Sequence, residues 1–139
     1  MKSNVVIGGI IFCDDKVLIL KRHKNERVFP GLWELPSGKN HTGETYEQTL
    51  EREIEEETGL VTHIKKEISQ FHYTVETHEG KKKTTQINFL VTTPTSNVII
   101  SKEHEAFAWI DQSDLERYNI SSQTKKVIRK GFDVLKNYF

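Results

Sequence analysis

The chain has 139 residues, a length typical of one domain with its own core, here expected over residues 1–139. Its 20 basic and 20 acidic side chains cancel, so no overall field attracts nucleic acid or a membrane surface. Because Cys13 is the one cysteine, internal disulfides are excluded. The sequence shows neither a signal-peptide pattern nor a long apolar segment, and together these features predict a cytoplasmic location.

The first part of the chain reads as strands separated by a loop. Residues 5–12 form a short apolar run rich in β-branched side chains, and residues 16–22 form a second, which predicts two largely buried strands. Polar residues with Pro and Gly follow at 23–32 and predict a loop. Residues 33–35 then predict a short extended segment.

A helix with both ends specified by the sequence follows. Thr45 and Gln48 have the spacing of a capping box, in which each side chain bonds to the backbone of the other residue. Gly59 stands where a helix ends with a left-handed residue. The predicted helix therefore runs over about residues 46–58.

The charges of this helix are unusual. Residues 44–57 carry seven carboxylates and one basic side chain, Arg52. On a helix, Glu53, Glu56 and Glu57 share one face, where like charges cost about 0.2–0.5 kcal/mol per pair. A solvated acidic face is one interpretation. A bound divalent cation is the other, because clustered oxygen ligands suit Mg2+, with Mn2+ as the alternative.

The order of the predicted elements indicates a layered fold. Strands of mixed order combined with two main helices favour an α/β architecture with helices on both faces of a sheet. The remaining predicted elements are strands at 61–76, 84–93 and 107–110, a hairpin tip at 79–83, a short helix within 111–118, and an amphipathic helix at 122–138.

Residues 38–60 resemble the signature of the Nudix hydrolases. That signature asks for Gly, five residues, Glu, seven residues, and then Arg-Glu-apolar-x-Glu-Glu-x-Gly-apolar. All nine specified positions are filled, so a chance match is very improbable. They are Gly38, Glu44, Arg52, Glu53, Ile54, Glu56, Glu57, Gly59 and Leu60.

The resemblance extends beyond the signature to about residues 4–135. The run at 33–39 looks like the segment that leads into the signature in many members, although Ser37 stands where Gly is common. Glu103 and His104, with Trp109 shortly after them, look like the late acidic loop of the family.

The resemblance implies a fold and an activity. The fold is α/β (α+β), a three-layer α/β/α sandwich with a mixed β-sheet. The activity is Mg2+-dependent hydrolysis of a phosphoanhydride bond in a nucleoside diphosphate derivative. The expected partner is therefore a small-molecule nucleotide substrate, bound by a monomer or homodimer. Divalent ions neutralise the charge of such a substrate and lower the pKa of a bound water.

The resemblance also implies roles for residues of the signature. Glu53, Glu56 and Glu57 are the expected metal ligands, together with the backbone carbonyl of Gly38. Arg52 is expected either to fix the geometry of these carboxylates or to contact phosphate.

The general base and the substrate contacts are less specified. Glu53 and Glu103 are rival bases, and Glu103 is also a candidate metal ligand; Glu105 is its neighbour and a competing alignment. Arg22 and Lys39 are candidate phosphate contacts, with ordinary surface charge as the alternative. Trp33 is a candidate for stacking on a base, with a place in the core as the alternative.

The substrate is assigned only by elimination. Fifteen residues after the signature, where members acting on ADP-ribose tend to carry Pro, this chain has Val75. A nucleoside triphosphate pyrophosphohydrolase of MutT type is therefore the first expectation, and an ADP-ribose or nucleotide-sugar pyrophosphatase is the second. An inactive nucleotide-sensing module is a remote third, because the signature carboxylates are all present.

Overall fold

A seven-stranded mixed sheet forms the centre of the computed structural model, which describes residues 3–138 of the chain. Two α-helices and one 3-10 helix, Gln112–Arg117, pack against it. The strands are β1 Ser3–Cys13, β2 Lys16–Arg22, β3 Trp33–Glu34, β4 Ser37–Lys39, β5 His63–Thr77, β6 Gly80–Thr92 and β7 His104–Ile110, and the helices are α1 Tyr46–Thr58 and α2 Ser122–Tyr138.

The central strand β1 determines where the signature segment lies. On one side it pairs in parallel with β6 along Ser3–Phe12. On the other side it pairs with β2 only at its last two residues, and then with β4, where Ile7 lies opposite Gly38. The β1–β2 hairpin therefore opens, and β3 and β4 fill the gap, with the Gly9 amide donating to the Pro36 carbonyl at 2.9 Å.

Each face of the sheet buries its own core. The face toward α1 packs Ile7 and Ile11 of β1 against Leu50 and Ile54 of the helix. The face toward α2 packs Ile10 and Phe12 against helix residues, with the rings of Phe12 and Phe132 edge to face at 5.0 Å. Alternate residues of β1 thus serve opposite layers, and the predicted three-layer fold with a mixed sheet is confirmed.

Helix α1 begins and ends as the sequence predicts. The Thr45 side chain accepts from the Gln48 amide, and the Gln48 side chain accepts from the Thr45 amide. Gly59 adopts φ 71°, a left-handed conformation that favours glycine. Both ends of the helix that carries the acidic residues are therefore fixed.

Several predicted boundaries differ from the structure because strand pairing extends the elements. β6 begins at Gly80, so the lysines at 81–83 belong to a strand, not to a hairpin tip. β7 begins at His104, three residues before the predicted strand, since it pairs with β2 as far as Arg22. β4 was not predicted from the sequence. Within residues 3–138, neither helix is both long and apolar enough to cross a membrane.

Candidate active site

Arg52 is the centre of an ion-pair network on α1. Its Nε and Nη2 donate to the two oxygens of Glu44 at 2.8 and 2.9 Å, and its Nη1 donates to Glu53 Oε1 at 2.7 Å. Glu56 is 3.7 Å from Nη1. The bonds from Arg52 lower the pKa of Glu44 to about 2. In this geometry the guanidinium fixes carboxylates, which favours the positioning role over phosphate contact.

The loop before α1 folds around Glu44. Its Oε1 accepts from the His41 amide at 3.0 Å and from the Thr49 hydroxyl at 3.0 Å. The Asn40 amide group donates to Thr49 Oγ1 at 2.7 Å. Glu44 therefore connects the loop, the first turns of the helix and Arg52. No role for Asn40 or Thr49 was predicted from the sequence.

Glu53 lies directly against the backbone of β4. A Cβ added to Gly38 would be 2.0 Å from Glu53 Cδ, so only glycine leaves room for this carboxylate. Burial raises the pKa of Glu53, and the bond from Arg52 opposes that shift. Gly38 and Glu53 thus meet as the resemblance implies; the metal contact of the Gly38 carbonyl stays a prediction.

Glu57 is a buried carboxylate in an acidic environment. It is 5% exposed, and one oxygen accepts from the Ser37 amide at 3.2 Å. Burial raises the pKa of Glu57 to about 9, and the charges of Glu53, Glu103 and Glu34 add to that shift. An ionised group here requires a cation to offset the lost hydration.

Glu103 approaches Glu57 from the loop before β7. One ligand atom each from Glu57, Glu103 and His104 lie within 4.8 Å of one another, a spacing that one metal ion can span. Glu105 points elsewhere and accepts from the Lys24 amide at 2.7 Å. Of the two alignments left open by the sequence, the geometry favours Glu103.

The donor set fits a divalent ion. Glu57 of α1 and Glu103 of the loop before β7 converge, and Glu53, which lies against Gly38, is near enough for its charge to raise the pKa of Glu57. Among the described residues, Glu53 and Glu56 both lie outside the group of three, and the side chain of Glu56 is 60% exposed. Metal ligation by Glu53 and Glu56 stays a prediction.

Glu34 joins this group to the loop at 23–32. Its Oε2 lies 2.8 Å from His104 Nε2 and 3.5 Å from Arg22 Nη1. Arg22 also donates to the Val28 carbonyl at 3.1 Å and is 3.5 Å from Glu26. The guanidinium of Arg22 thus holds the loop against Glu34, and its contact with phosphate stays a prediction.

A cavity of about 600 Å³ opens beside the acidic group on the α2 side of the sheet. This volume is typical of small-molecule sites. Glu34 and Ser37 line the cavity, and both are neighbours of Glu57: the Ser37 amide donates to Glu57, and the charge of Glu34 raises the pKa of Glu57. The lining residues are Phe29, Leu32, Glu34, Leu35, Ser37, Phe71, His72, Tyr73, Gln86, Ser121, Gln123 and Thr124.

The other predicted substrate contacts lie outside the cavity lining. Trp33 packs edge to face on Tyr118, with ring centroids 5.0 Å apart, beside the core on the α2 face. This packing favours the core role that was weighed against stacking on a base. Lys39 is exposed at the end of β4, and its carbonyl accepts from Arg52 at 3.3 Å.

Several residues that the fold brings to the site had no role predicted from the sequence. Glu34 and His104 are 70 positions apart and meet only through the pairing of β2 with β3 and with β7. Both lie in segments quoted for the family resemblance, which was the one available signal. Phe71 belongs to a predicted strand, and no signal in the sequence indicated that it lies at the site.

Comparisons with known proteins agree with this geometry. A family model described as the NUDIX domain matches residues 2–131. The chain is 29% identical over 136 residues to nucleoside triphosphatase NudI of Escherichia coli O139:H28, covering 93% of this chain and 96% of that protein.

Solved structures share the fold. The MutT protein from Methanosarcina mazei Go1 superposes with a TM-score of 0.81 at 23% identity, over 97% of this chain and 96% of that one. The NUDIX domain of Shewanella oneidensis NrtR, complexed with ADP ribose, gives 0.74 at 21% identity, over 97% of this chain and 90% of that one.

The fold, the acidic helix and these matches define a hydrolase that acts on acid anhydrides in phosphorus-containing compounds. The chain belongs to the Nudix family.

Proposed function

We propose that the protein is a divalent-metal-dependent pyrophosphohydrolase of nucleoside triphosphates. The observation that carries the proposal is the position of Glu57. This carboxylate is buried among other acidic groups, and its neighbours Glu34 and Ser37 line the cavity of about 600 Å³. Such an arrangement suits a site where a cation and a polyphosphate meet.

Residues of β4, of α1 and of the loop before β7 would hold the metal, for which we propose Mg2+. They are Glu53, Glu56, Glu57, Glu103 and the Gly38 carbonyl. When bound, a divalent ion supplies neutralisation of the phosphate charge and acidifies a water molecule.

Two carboxylates are candidates to take the proton from the attacking water. Glu53 is held rigidly by Arg52 and by the Gly38 backbone, which suits a group that must keep one geometry. Glu103 is exposed on the loop before β7 and lies close to Glu57. Arg52 keeps Glu44 and Glu53 in place and has its N–H groups engaged by them.

The cavity supports a nucleoside as the organic part of the substrate. Phe71 and Tyr73 offer ring faces, with centroids 5.7 Å apart, and aromatic faces bind bases by stacking. Gln86 and Thr124 offer polar atoms at the same cavity for the base edge. A triphosphate extending from this cavity toward Ser37 would reach Glu57.

The triphosphate is supported by the name of the relative NudI, a nucleoside triphosphatase. The test is a panel of ribonucleoside and deoxyribonucleoside triphosphates, ADP-ribose and nucleotide sugars, with Mg2+, measuring release of pyrophosphate and phosphate. We expect triphosphates to give the nucleoside monophosphate and pyrophosphate. Preference for ADP-ribose or a nucleotide sugar would replace the proposed substrate and leave the reaction class intact.

The same reaction in 18O-labelled water identifies the phosphorus that is attacked. Label in the nucleoside monophosphate means attack at the α-phosphorus, and label in pyrophosphate means attack at the β-phosphorus. Glu57→Gln is the control for contaminating phosphatases, because it keeps the size of the side chain and removes its charge. Equal rates for this variant and the wild type would refute the assignment of the site.

A further inference from the structure

His104 has a buried imidazole that the proposed chemistry leaves unused. It is the first residue of β7, and its side chain is only 2% exposed. Nε2 lies 2.8 Å from Glu34 Oε2, while Nδ1 has no hydrogen-bond partner in the described part of the chain. A buried polar atom without a partner is costly, and native structures rarely leave one.

The hydrogen bond to Glu34 determines which nitrogen is available. An ionised carboxylate only accepts hydrogen bonds, so Nε2 carries the hydrogen and the neutral ring has its lone pair on Nδ1. Arg22, 3.5 Å from the same Glu34 oxygen, helps to hold the carboxylate in place. The ring is therefore oriented from one side and offers a lone pair on the other.

The imidazole lies among the metal-site carboxylates. One of its nitrogens is within 4.8 Å of an oxygen of Glu57 and an oxygen of Glu103, which are themselves that close to each other. Ligands of one ion, each about 2.0–2.4 Å from it, cannot be farther apart than this. A histidine that donates one N–H to a carboxylate and uses its other nitrogen as a ligand is the common arrangement at metal centres.

We infer that His104 is a nitrogen ligand, through Nδ1, of the divalent ion that Glu57 and Glu103 bind. The inference rests on the proposed metal-dependent function and adds a ligand to that site. Glu34 is then the carboxylate that orients the ligating ring. Because imidazole nitrogen suits transition metals better than Mg2+, the site would bind Mn2+ more tightly than an all-oxygen site of the same charge.

The direct test is electron spin echo envelope modulation on the protein loaded with one equivalent of Mn2+. A coordinated imidazole gives modulation from 14N, and protein grown with 15N-histidine in a 14N background should lose it. His104→Gln should also lose the modulation, since an amide N–H can still donate to Glu34 while the ring nitrogen is gone. His23→Gln is the matched control, because His23 contacts the nearby Lys102 carbonyl at 2.7 Å and is outside the group.

A second measurement follows the affinity for Mn2+ alone by calorimetry. We expect His104→Gln to weaken Mn2+ binding about 10-fold or more and Mg2+ binding less, and His23→Gln to change neither. Bound Mn2+ without histidine 14N modulation, in an enzyme that hydrolyses its substrate, would overturn the role of His104 and leave the proposed function standing. Failure of the wild type to bind Mn2+ would overturn both. The wild-type spectrum decides the matter even if His104→Gln does not fold.

Discussion

The Glu53 carboxylate occupies the space in which a side chain at Gly38 would lie, because a Cβ there would be 2.0 Å from Glu53 Cδ and 2.3 Å from its Oε1. Gly38→Ala should therefore displace Glu53 from Arg52 and from the metal site. We expect overpacking to cost about 1–3 kcal/mol of the free energy of unfolding, and turnover to fall about 100-fold or more. Urea denaturation and steady-state kinetics measure the two effects.

The double variant Gly38→Ala/Glu53→Ala distinguishes the effect of the steric clash between residues 38 and 53 from the effect of losing the Glu53 carboxylate. Removing the Glu53 side chain beyond Cβ removes all three nearest atoms that the new methyl group would meet. The double variant should regain most of the stability lost in Gly38→Ala and none of the activity. Equal instability of the single and double variants would show that Gly38 is required for another reason.

Acidic residues on different faces of α1 should respond differently to loss of charge. Glu56 belongs to the signature and is 3.7 Å from Arg52. Glu55 is exposed and faces away, lining a shallow surface depression with Glu51. Glu56→Gln should lower turnover about 100-fold or more, whereas Glu55→Gln should stay within about twofold of the wild type. Comparable losses of turnover in both variants would mean that turnover depends on the total negative charge of the helix and not on a metal site.

Metal removal should make the stability of the protein depend on pH through Glu57. The pKa of Glu57 is about 9 in the folded protein and ordinarily 4.5, so between these values the folded state binds more protons than the unfolded state. The contribution of Glu57 to the free energy of unfolding, measured relative to Glu57→Gln, is therefore full below about pH 4.5. It is lost as the pH rises toward 9. In EDTA, the urea midpoint of the wild type should fall from pH 5 to pH 8 relative to that of Glu57→Gln.

Added Mg2+ or Mn2+ should restore the midpoint of the wild type at pH 8 and leave that of Glu57→Gln nearly unchanged. The comparison with the variant matters because the titration of groups that do not interact with Glu57 cancels in the difference. Parallel midpoints of the two proteins across this pH range, with and without metal, would contradict the buried, cation-dependent carboxylate.

Local signals account for the parts of the structure that the sequence predicts well. The limits of α1 follow from Thr45, Gln48 and Gly59, which act within one or two turns of the chain. The spacing of Glu53 and Glu57 on one face follows from helix geometry alone. These features need no knowledge of the tertiary fold.

Features that depend on strand pairing were not predictable in this way. β4 has three residues and exists because it pairs with β1 in the gap of the open hairpin. His104 enters β7 through pairing with β2, and that pairing brings it to Glu34 across 70 residues. Phe71 and Tyr73 likewise line a cavity only because α2 and the residue before it cover this part of the sheet.

The choice between Glu53 and Glu103 as general base can be made from pH–rate profiles. Removing the base should lower kcat by about 10²–10⁴-fold and abolish the acidic limb of the profile. Burial already raises the pKa of Glu53, which moves it toward the range where a base works best. We therefore expect Glu53→Gln to lose the limb even when Mn2+ binding, measured by calorimetry, is saturated.

Glu103→Gln is the matched comparison, since its carboxylate is exposed and reaches the same metal group from a loop. If Glu103 acts as a ligand only, its variant should need more metal for full activity and should keep the acidic limb at saturating metal. If Glu103→Gln loses the limb and Glu53→Gln keeps it, the base is Glu103, and the rigid placement of Glu53 by Arg52 and Gly38 serves metal binding alone.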